Sequence, residues 1–193
     1  MAETITPVVH GGKRRPYLVA ASLHVAGATL SAAALGAALG LVGLAVGAPW
    51  RTWTAAVVAV VAAAYLLREA FGVPVPLPDR KRQVPEWWRT FFSPAVAAFL
   101  YGAGLGVGFL TYLSFGTFAA VTAGALVSGR PLTGLLLCAP FGFGRGLAML
   151  VATWSAGADR IDRLDDLADS AGPRGANALA LAAVVAAAAA ALL

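Results

Sequence analysis

Arg145 is the residue whose type and position most strongly indicate chemistry in this sequence. It lies in an apolar, glycine-rich stretch, at the middle of a predicted membrane helix. An arginine facing lipid at that depth would cost at least about 2.5 kcal/mol, so we expect it to face the bundle interior or a wet cavity. The functional interpretation is a site for an anion or a carboxylate, built with Thr111, Tyr112 and Ser114 as a substrate-binding set. The alternative is a structural arginine bonded to the carbonyls of a broken helix.

The other reactive residue types form no cluster with the spacing that a metal site needs. His24 has no second histidine, cysteine or carboxylate three or four positions away. Cys138 is the single cysteine, so no intramolecular disulfide can form, and we interpret it as a packing residue. We therefore predict no catalytic residue, no metal and no cofactor, and the sequence favours a protein that is not an enzyme.

The composition indicates an integral membrane protein. Of the 193 residues, 60% are hydrophobic and 12% are charged, and the mean hydropathy is +0.79. Soluble domains carry about 25% charged residues. The net charge of +5 does not indicate nucleic-acid binding, because the basic residues lie in short loops between apolar spans and not on one contiguous face. No signal peptide is evident.

The hydrophobic pattern predicts an all-α, polytopic protein of about five transmembrane helices in one domain. A polar tail, residues 1–16, precedes a transmembrane domain of residues 17–193. The predicted helices are A (about 17–47), B (about 52–72), C (about 94–128), D (about 132–156) and E (about 175–193). Helices A and C are too long for one straight span and rich in glycine, so we expect both to be broken.

The distribution of basic residues predicts the orientation. The tail carries three, the loop 76–92 four and the loop 157–174 three, whereas the opposite side carries only Arg51 and Arg130. By the positive-inside rule the tail and both loops are cytoplasmic. We expect a multi-pass protein of the cell inner (plasma) membrane with its N-terminus in the cytoplasm.

Four stretches resemble helices of a known family. LHVAGATLSAAALGAALGLVG and LLREAFGVPVPLPDRKR, which start at Leu23 and Leu66, are similar to its second and third helices. The sequence FLYGAGLGVGFLTY (Phe99–Tyr112) is similar to the fourth helix of the CcdA/DsbD transmembrane domain of cytochrome c biogenesis. The sequence GRPLTGLLLCAPFGFGRGLAML (Gly129–Leu150) resembles the fifth. This resemblance implies a thiol–disulfide electron transporter, in a superfamily that also contains solute exporters. The family's first helix, with its own Pro-Cys pair, is missing. The family's second Pro-Cys pair falls on Thr111-Tyr112, which cannot perform thiol exchange.

The resemblance without the thiols implies transport. We expect a small-solute or ion transporter, or the transport-type subunit of a membrane complex. The alternatives are a redox relay that uses a partner's thiols and a structural subunit of a membrane complex. The partners implied are the lipid bilayer and a second membrane protein, in a homodimer or a heteromeric complex. A stripe of small residues on helix A, Gly36, Gly40, Gly43 and Gly47, offers a face for that partner.

Overall fold

The described part of the chain is entirely α-helical. The computed structural model describes residues 13–48, 53–76, 87–108, 116–155 and 171–190, and no strand occurs among them. The helices are α1 (Arg14–Ala45), α2 (Thr54–Phe71), α3 (Trp87–Phe91), α4 (Pro94–Gly106), α5 (Thr117–Ser128), α6 (Pro131–Ser155) and α7 (Ala171–Ala190). The all-α prediction is confirmed for these residues. Residues 1–12 of the predicted tail and most of both predicted cytoplasmic loops lie outside them, whereas α1 begins at Arg14, inside the predicted tail.

Helix α1 is the centre of the bundle, and its glycines allow the neighbours to approach closely. Gly36 lies against the backbone of Gly134 in α6, and Gly43 lies against the carbonyl of Leu126 in α5. On α4, Gly102 lies against the backbone of His24. A Cβ at any of these positions would collide with backbone atoms, so the packing here depends on direct contact between helix backbones.

The glycine stripe of α1 is therefore occupied within the chain. Gly36, Gly40 and Gly43 are buried against α5, α6 and the turn that joins them. These three glycines are therefore not free for a partner helix, because the close approach that they permit is already used within the chain. The fourth residue of the predicted stripe, Gly47, has open space around it.

The two predicted broken helices behave differently. Helix A is one continuous α-helix of 32 residues, α1, so the predicted break there is wrong. Helix C is interrupted: α4 ends at Gly106, and α5 begins at Thr117. Just past α4, Gly108 has φ +78°, a conformation that favours glycine and ends the helix. Continuous packing explains the difference, because α1 has neighbours along its whole length.

The helices α4 and α5 together follow the direction of α1, and α6 returns antiparallel to it. Contacts join His24 to Ala98 near the start of α4 and Gly43 to Leu126 near the end of α5. The interruption is therefore level with the middle of α1. Helix α2 packs against α5, where Thr54 donates to the carbonyl of Val127. Helix α7 packs on α2 through the fully buried Leu181.

Two of the described helices, α1 and α2, are long and apolar enough to cross a membrane. The helices α4 and α5 are apolar but shorter, because the interruption divides them. The structure also places a helix, α3, inside the predicted loop 76–92.

Candidate functional site

The most polar arrangement in the bundle surrounds the interruption between α4 and α5. The last carbonyls of a helix and its first N–H groups have no partner within the helix. The helix dipole also leaves partial negative charge at the C-terminus of α4 and partial positive charge at the N-terminus of α5. An apolar surrounding makes both ends costly unless other groups satisfy them.

Arg145 of α6 satisfies the C-terminal end of α4. Its guanidinium donates a hydrogen bond of 3.0 Å to the carbonyl of Leu105, one residue before the end of that helix. The same carbonyl accepts from the backbone N–H of Gly108 at 3.2 Å, so both of its lone pairs are used. The positive guanidinium lies at the negative end of the helix dipole, where it is stabilising.

Aromatic rings hold the arginine and the two helix ends together. The guanidinium carbon of Arg145 lies 5.7 Å from the centroid of the Phe141 ring, within the range of a cation–π interaction. The Phe141 ring packs on Phe118 of α5 at 5.5 Å between centroids. Phe118 also covers Gly108, where a Cβ would collide with its ring. One packed series therefore connects α6, the first turn of α5 and Gly108, the second residue after α4.

Glu69 of α2 satisfies the N-terminal end of α5. Its carboxylate accepts a hydrogen bond of 3.2 Å from the backbone N–H of Gly116, the N-cap residue of α5. Only 6% of its side chain is exposed, and Arg68 lies 3.8 Å away. Gly116 lies under the ring of Tyr65, where a Cβ would collide with ring atoms. A carboxylate at a helix N-terminus is the arrangement that the helix dipole favours.

The segment after α2 folds back and is hydrogen-bonded to the C-terminal part of α2. Gly72 ends α2 with φ +71°. The chain then returns so that the Tyr65 hydroxyl donates to the carbonyl of Pro76 at 2.9 Å, and Arg68 donates to the carbonyl of Val75 at 2.8 Å. These bonds fix the C-terminal turn of α2 and, with it, the position of Glu69.

The interruption is thus neutralised by two side chains of opposite charge. Arg145 compensates the end of α4, and Glu69 compensates the start of α5. These contacts match the structural interpretation of Arg145, an arginine bonded to the carbonyl of a broken helix. Glu69 lies in the last turn of the apolar helix α2, and nothing in its local sequence pattern indicates that it caps a helix whose N-cap is 47 positions later.

The structure places only one member of the predicted substrate-binding set. Arg145 contacts α4 as described, whereas Thr111, Tyr112 and Ser114 lie outside the described residues. The helix that carries Arg145 is not unwound, because α6 is helical from Pro131 to Ser155. Its nearby glycines have another role: Gly142 and Gly146 pack against α1.

His24 is fully buried between α1 and α4. Its Nδ1 lies 3.2 Å from the carbonyl of Ala98, and a carbonyl can only accept, so Nδ1 carries the proton. Its Nε2 has no hydrogen-bond partner among the described residues. Cys138 is buried in a cluster with Ala32 and Ala125. The described residues contain no group of three or more potential metal ligands.

Among the described residues, the fold and this site define an all-α protein with two helices that are long and apolar enough to cross a membrane, and with an interrupted helix held by opposite charges. The chain is similar to methylamine utilization protein MauF from several organisms. It is 35% identical to that of Paracoccus versutus over 130 residues, 66% of this chain and 47% of that protein. It is 34% identical to that of Methylophilus methylotrophus over 129 residues, 66% of this chain and 45% of that protein. The protein of Methylorubrum extorquens is 40% identical over 77 residues, 40% of this chain and 27% of that protein.

The match covers about two thirds of this chain. The chain spans about half the length of these curated relatives. No protein-family model matches the chain. No solved structure matches it.

These relatives correct the predicted family and function. They are named MauF and not CcdA/DsbD, so the predicted resemblance to the cytochrome c biogenesis domain is wrong. The predicted function rested on that resemblance. The prediction of a solute transporter, with a redox relay or a structural subunit as alternatives, is therefore wrong as well. The Gly-rich helices that suggested the family serve backbone contact in this bundle, a use that many membrane proteins share.

Proposed function

We propose that this chain is a multi-pass membrane protein that serves methylamine utilization. The observation that carries the proposal is the identity of 34–35% to MauF proteins over about 130 residues. That length exceeds any one of the described helices, so the similarity extends over several elements of the bundle.

The surface of the bundle supports its placement in a membrane. Large apolar side chains on the outward faces of the helices are exposed, among them Leu30, Val60, Leu136 and Leu179, at 60–73%. In water such a surface would promote association, whereas in lipid it is solvated. Helix α6, at about 1.5 Å per residue, is also long enough to cross the hydrocarbon core.

The orientation that we propose follows the basic residues. The cytoplasmic side of the inner membrane holds the tail and the loops 76–92 and 157–174, which together carry ten lysines and arginines. Helices α1 and α2, the α4–α5 pair, α6 and α7 are then the five spans.

Genetic complementation tests the proposal. A Paracoccus denitrificans strain without its MauF receives either this chain or a chimera in which the chain replaces the matched part of MauF. We expect growth on methylamine to return, with growth on succinate as the control. The chimera is needed because the chain spans about half of MauF.

A membrane-integrated chimera that leaves the strain unable to grow on methylamine would overturn the proposed function. Extraction of the chain from membranes by alkaline carbonate would overturn the proposed embedding.

A further inference from the structure

The short helix α3 carries a cluster of aromatic rings that the bundle only half covers. Trp88 and Phe92 pack on α4 against Ala97 and Tyr101. The Trp88 and Tyr101 ring centroids are 5.8 Å apart. This side of the cluster fixes α3 to the start of α4.

The other side of the cluster faces outward. Trp87 is 56% exposed and Phe91 is 78% exposed. The two rings are in edge-to-face contact, 6.1 Å between centroids, so they form one rigid apolar surface. Trp87 also contacts Trp88 and Phe92, at 6.3 and 6.1 Å between ring centroids. We call Trp87 and Phe91 the aromatic surface.

A basic cluster lies toward the same end of the bundle. Lys13, Arg14 and Arg15 are exposed at the start of α1. Helices α1 and α4 run parallel, since His24 contacts Ala98 and Ala28 contacts Gly106. Residues that precede His24 therefore lie at the end of the bundle where α4 begins. Along α1, at about 1.5 Å per residue, the basic cluster is roughly 15 Å beyond His24.

The aromatic surface, with the basic cluster farther toward the end of the bundle, matches the order of acyl chains and headgroups in one leaflet of a lipid bilayer. Tryptophan is enriched at the boundary between acyl chains and headgroups, phenylalanine is stable on an apolar face buried at that boundary, and lysine and arginine are stable among anionic headgroups farther out. A soluble protein partner would not require the aromatic rings and the cations at two successive depths.

We propose that the aromatic surface and the basic cluster together bind anionic phospholipid on the proposed cytoplasmic side. The headgroup phosphate contacts Lys13, Arg14 or Arg15, and the acyl chains pack on Trp87 and Phe91. This inference rests on the membrane embedding proposed above, and it adds a lipid class that neither the relatives nor the orientation specifies.

Fluorescence quenching by brominated lipids tests the proposal. In one variant Trp87 is the only tryptophan, with phenylalanine at Trp50, Trp53, Trp88 and Trp154. In the matched variant only Trp53 remains, which is 67% exposed and precedes α2 at the opposite end of the bundle. Both are reconstituted in vesicles containing brominated phosphatidylcholine or brominated phosphatidylglycerol.

We expect both tryptophans to be quenched, and Trp87 to be quenched by phosphatidylglycerol at a mole fraction about fivefold lower than by phosphatidylcholine. Replacing Lys13, Arg14 and Arg15 by glutamine should remove most of that preference. Arg130→Gln, which removes an exposed arginine at the opposite end, should leave it unchanged. The same preference should appear as phosphatidylglycerol retained by the purified chain with all its tryptophans, a measurement that does not depend on folding of the single-tryptophan variants.

Three results would overturn the inference, and they differ from one another. Equal quenching of Trp87 by the two lipids removes the anionic preference and leaves the membrane embedding intact. Quenching of Trp53 alone shows that a protein, or a second copy of the chain, covers the aromatic surface. Quenching of neither tryptophan refutes the embedding itself, and with it the proposed membrane function.

Discussion

Arg145 and Leu105 are 40 positions apart in the sequence, and a hydrogen bond of 3.0 Å joins the guanidinium of one to the backbone carbonyl of the other. This bond brings a cation from the interior of α6 to the C-terminus of α4. The interrupted helix therefore ends at a fixed place. The carbonyl keeps a second donor, Gly108, so the bond adds to a helix end that already has one partner.

Arg145→Leu should lower stability by about 1–2 kcal/mol. The substitution removes a charged hydrogen bond to Leu105 and the contact with the Phe141 ring, while the desolvation cost of the charge also disappears. Arg145→Lys should lose less, because it keeps a cation but not the planar fork. Thermal unfolding in detergent measures both. The control is Arg130→Leu, at an exposed turn position. Its free energy of unfolding should lie within about 0.5 kcal/mol of the wild-type value. Equal stability of Arg145→Leu and the wild type would contradict the structural role.

Glu69→Ala should loosen the first turn of α5. The buried N–H of Gly116 loses its acceptor, which costs about 1–2 kcal/mol. Glu69→Gln keeps an acceptor oxygen and loses only the charge at the helix terminus, about 0.5 kcal/mol. Hydrogen exchange of the amides of α5 measures the change where it is expected. Uniformly faster exchange in every helix would show a general loss of stability and count against the capping role.

The glycine contacts of α1 should be the most sensitive positions in the bundle. Gly36→Ala and Gly134→Ala each place a Cβ against backbone atoms of the facing helix, which should cost about 1–3 kcal/mol. Gly144→Ala provides a matched control on α6, because its Cβ would point into open space. There the better helix propensity of alanine should leave stability unchanged or raise it by up to about 1 kcal/mol. A loss at Gly144 equal to that at Gly134 would mean that α6 is oriented differently.

The proposed topology predicts the labelling of a cysteine at position 84. In a Cys138→Ala background, Val84→Cys should react with a membrane-impermeant maleimide only after the cells are opened. Cys138 is buried, so its replacement by alanine should be tolerated. Labelling of position 84 in intact cells would reverse the orientation.

We expect the chain to associate, as a homodimer or in a heteromeric complex, through a face other than the glycine stripe of α1. Gly40 lies against the backbone of Arg130 and Pro131, so Gly40→Leu should destabilise the fold without weakening association of the folded fraction. Light scattering in mild detergent measures the mass, and a monodisperse monomer at high protein concentration would contradict the expectation.

The sequence could predict the helices better than their contacts. Apolar runs and the glycine and proline residues between them predicted the bounds of α2 and α6, and the end of α5, to within a few residues, because these signals are local. The break in helix C was also predictable from its glycines. The continuity of α1 was not, since glycines at helix spacing serve equally for a kink and for a close contact, and only the neighbouring helices decide between them.

The candidate site shows the same limit. Because a charge is costly in lipid, Arg145 could be predicted to face the bundle interior. The structure shows that its acceptor is the carbonyl of Leu105. Glu69 could not be recognised as the cap of α5, because its acceptor role depends on how α2 packs beside a helix that follows much later in the chain.

The central position of α1 has a consequence for synthesis. Its first contact with α4, between His24 and Ala98, spans 74 positions, and its contacts with α6 span more. The ribosome therefore delivers α1 and α2 before any helix that covers the glycines of α1 exists. In the proposed membrane embedding, only lipid or a chaperone can cover those glycines during that interval, so a chain halted after α2 should be a preferred substrate for membrane proteases.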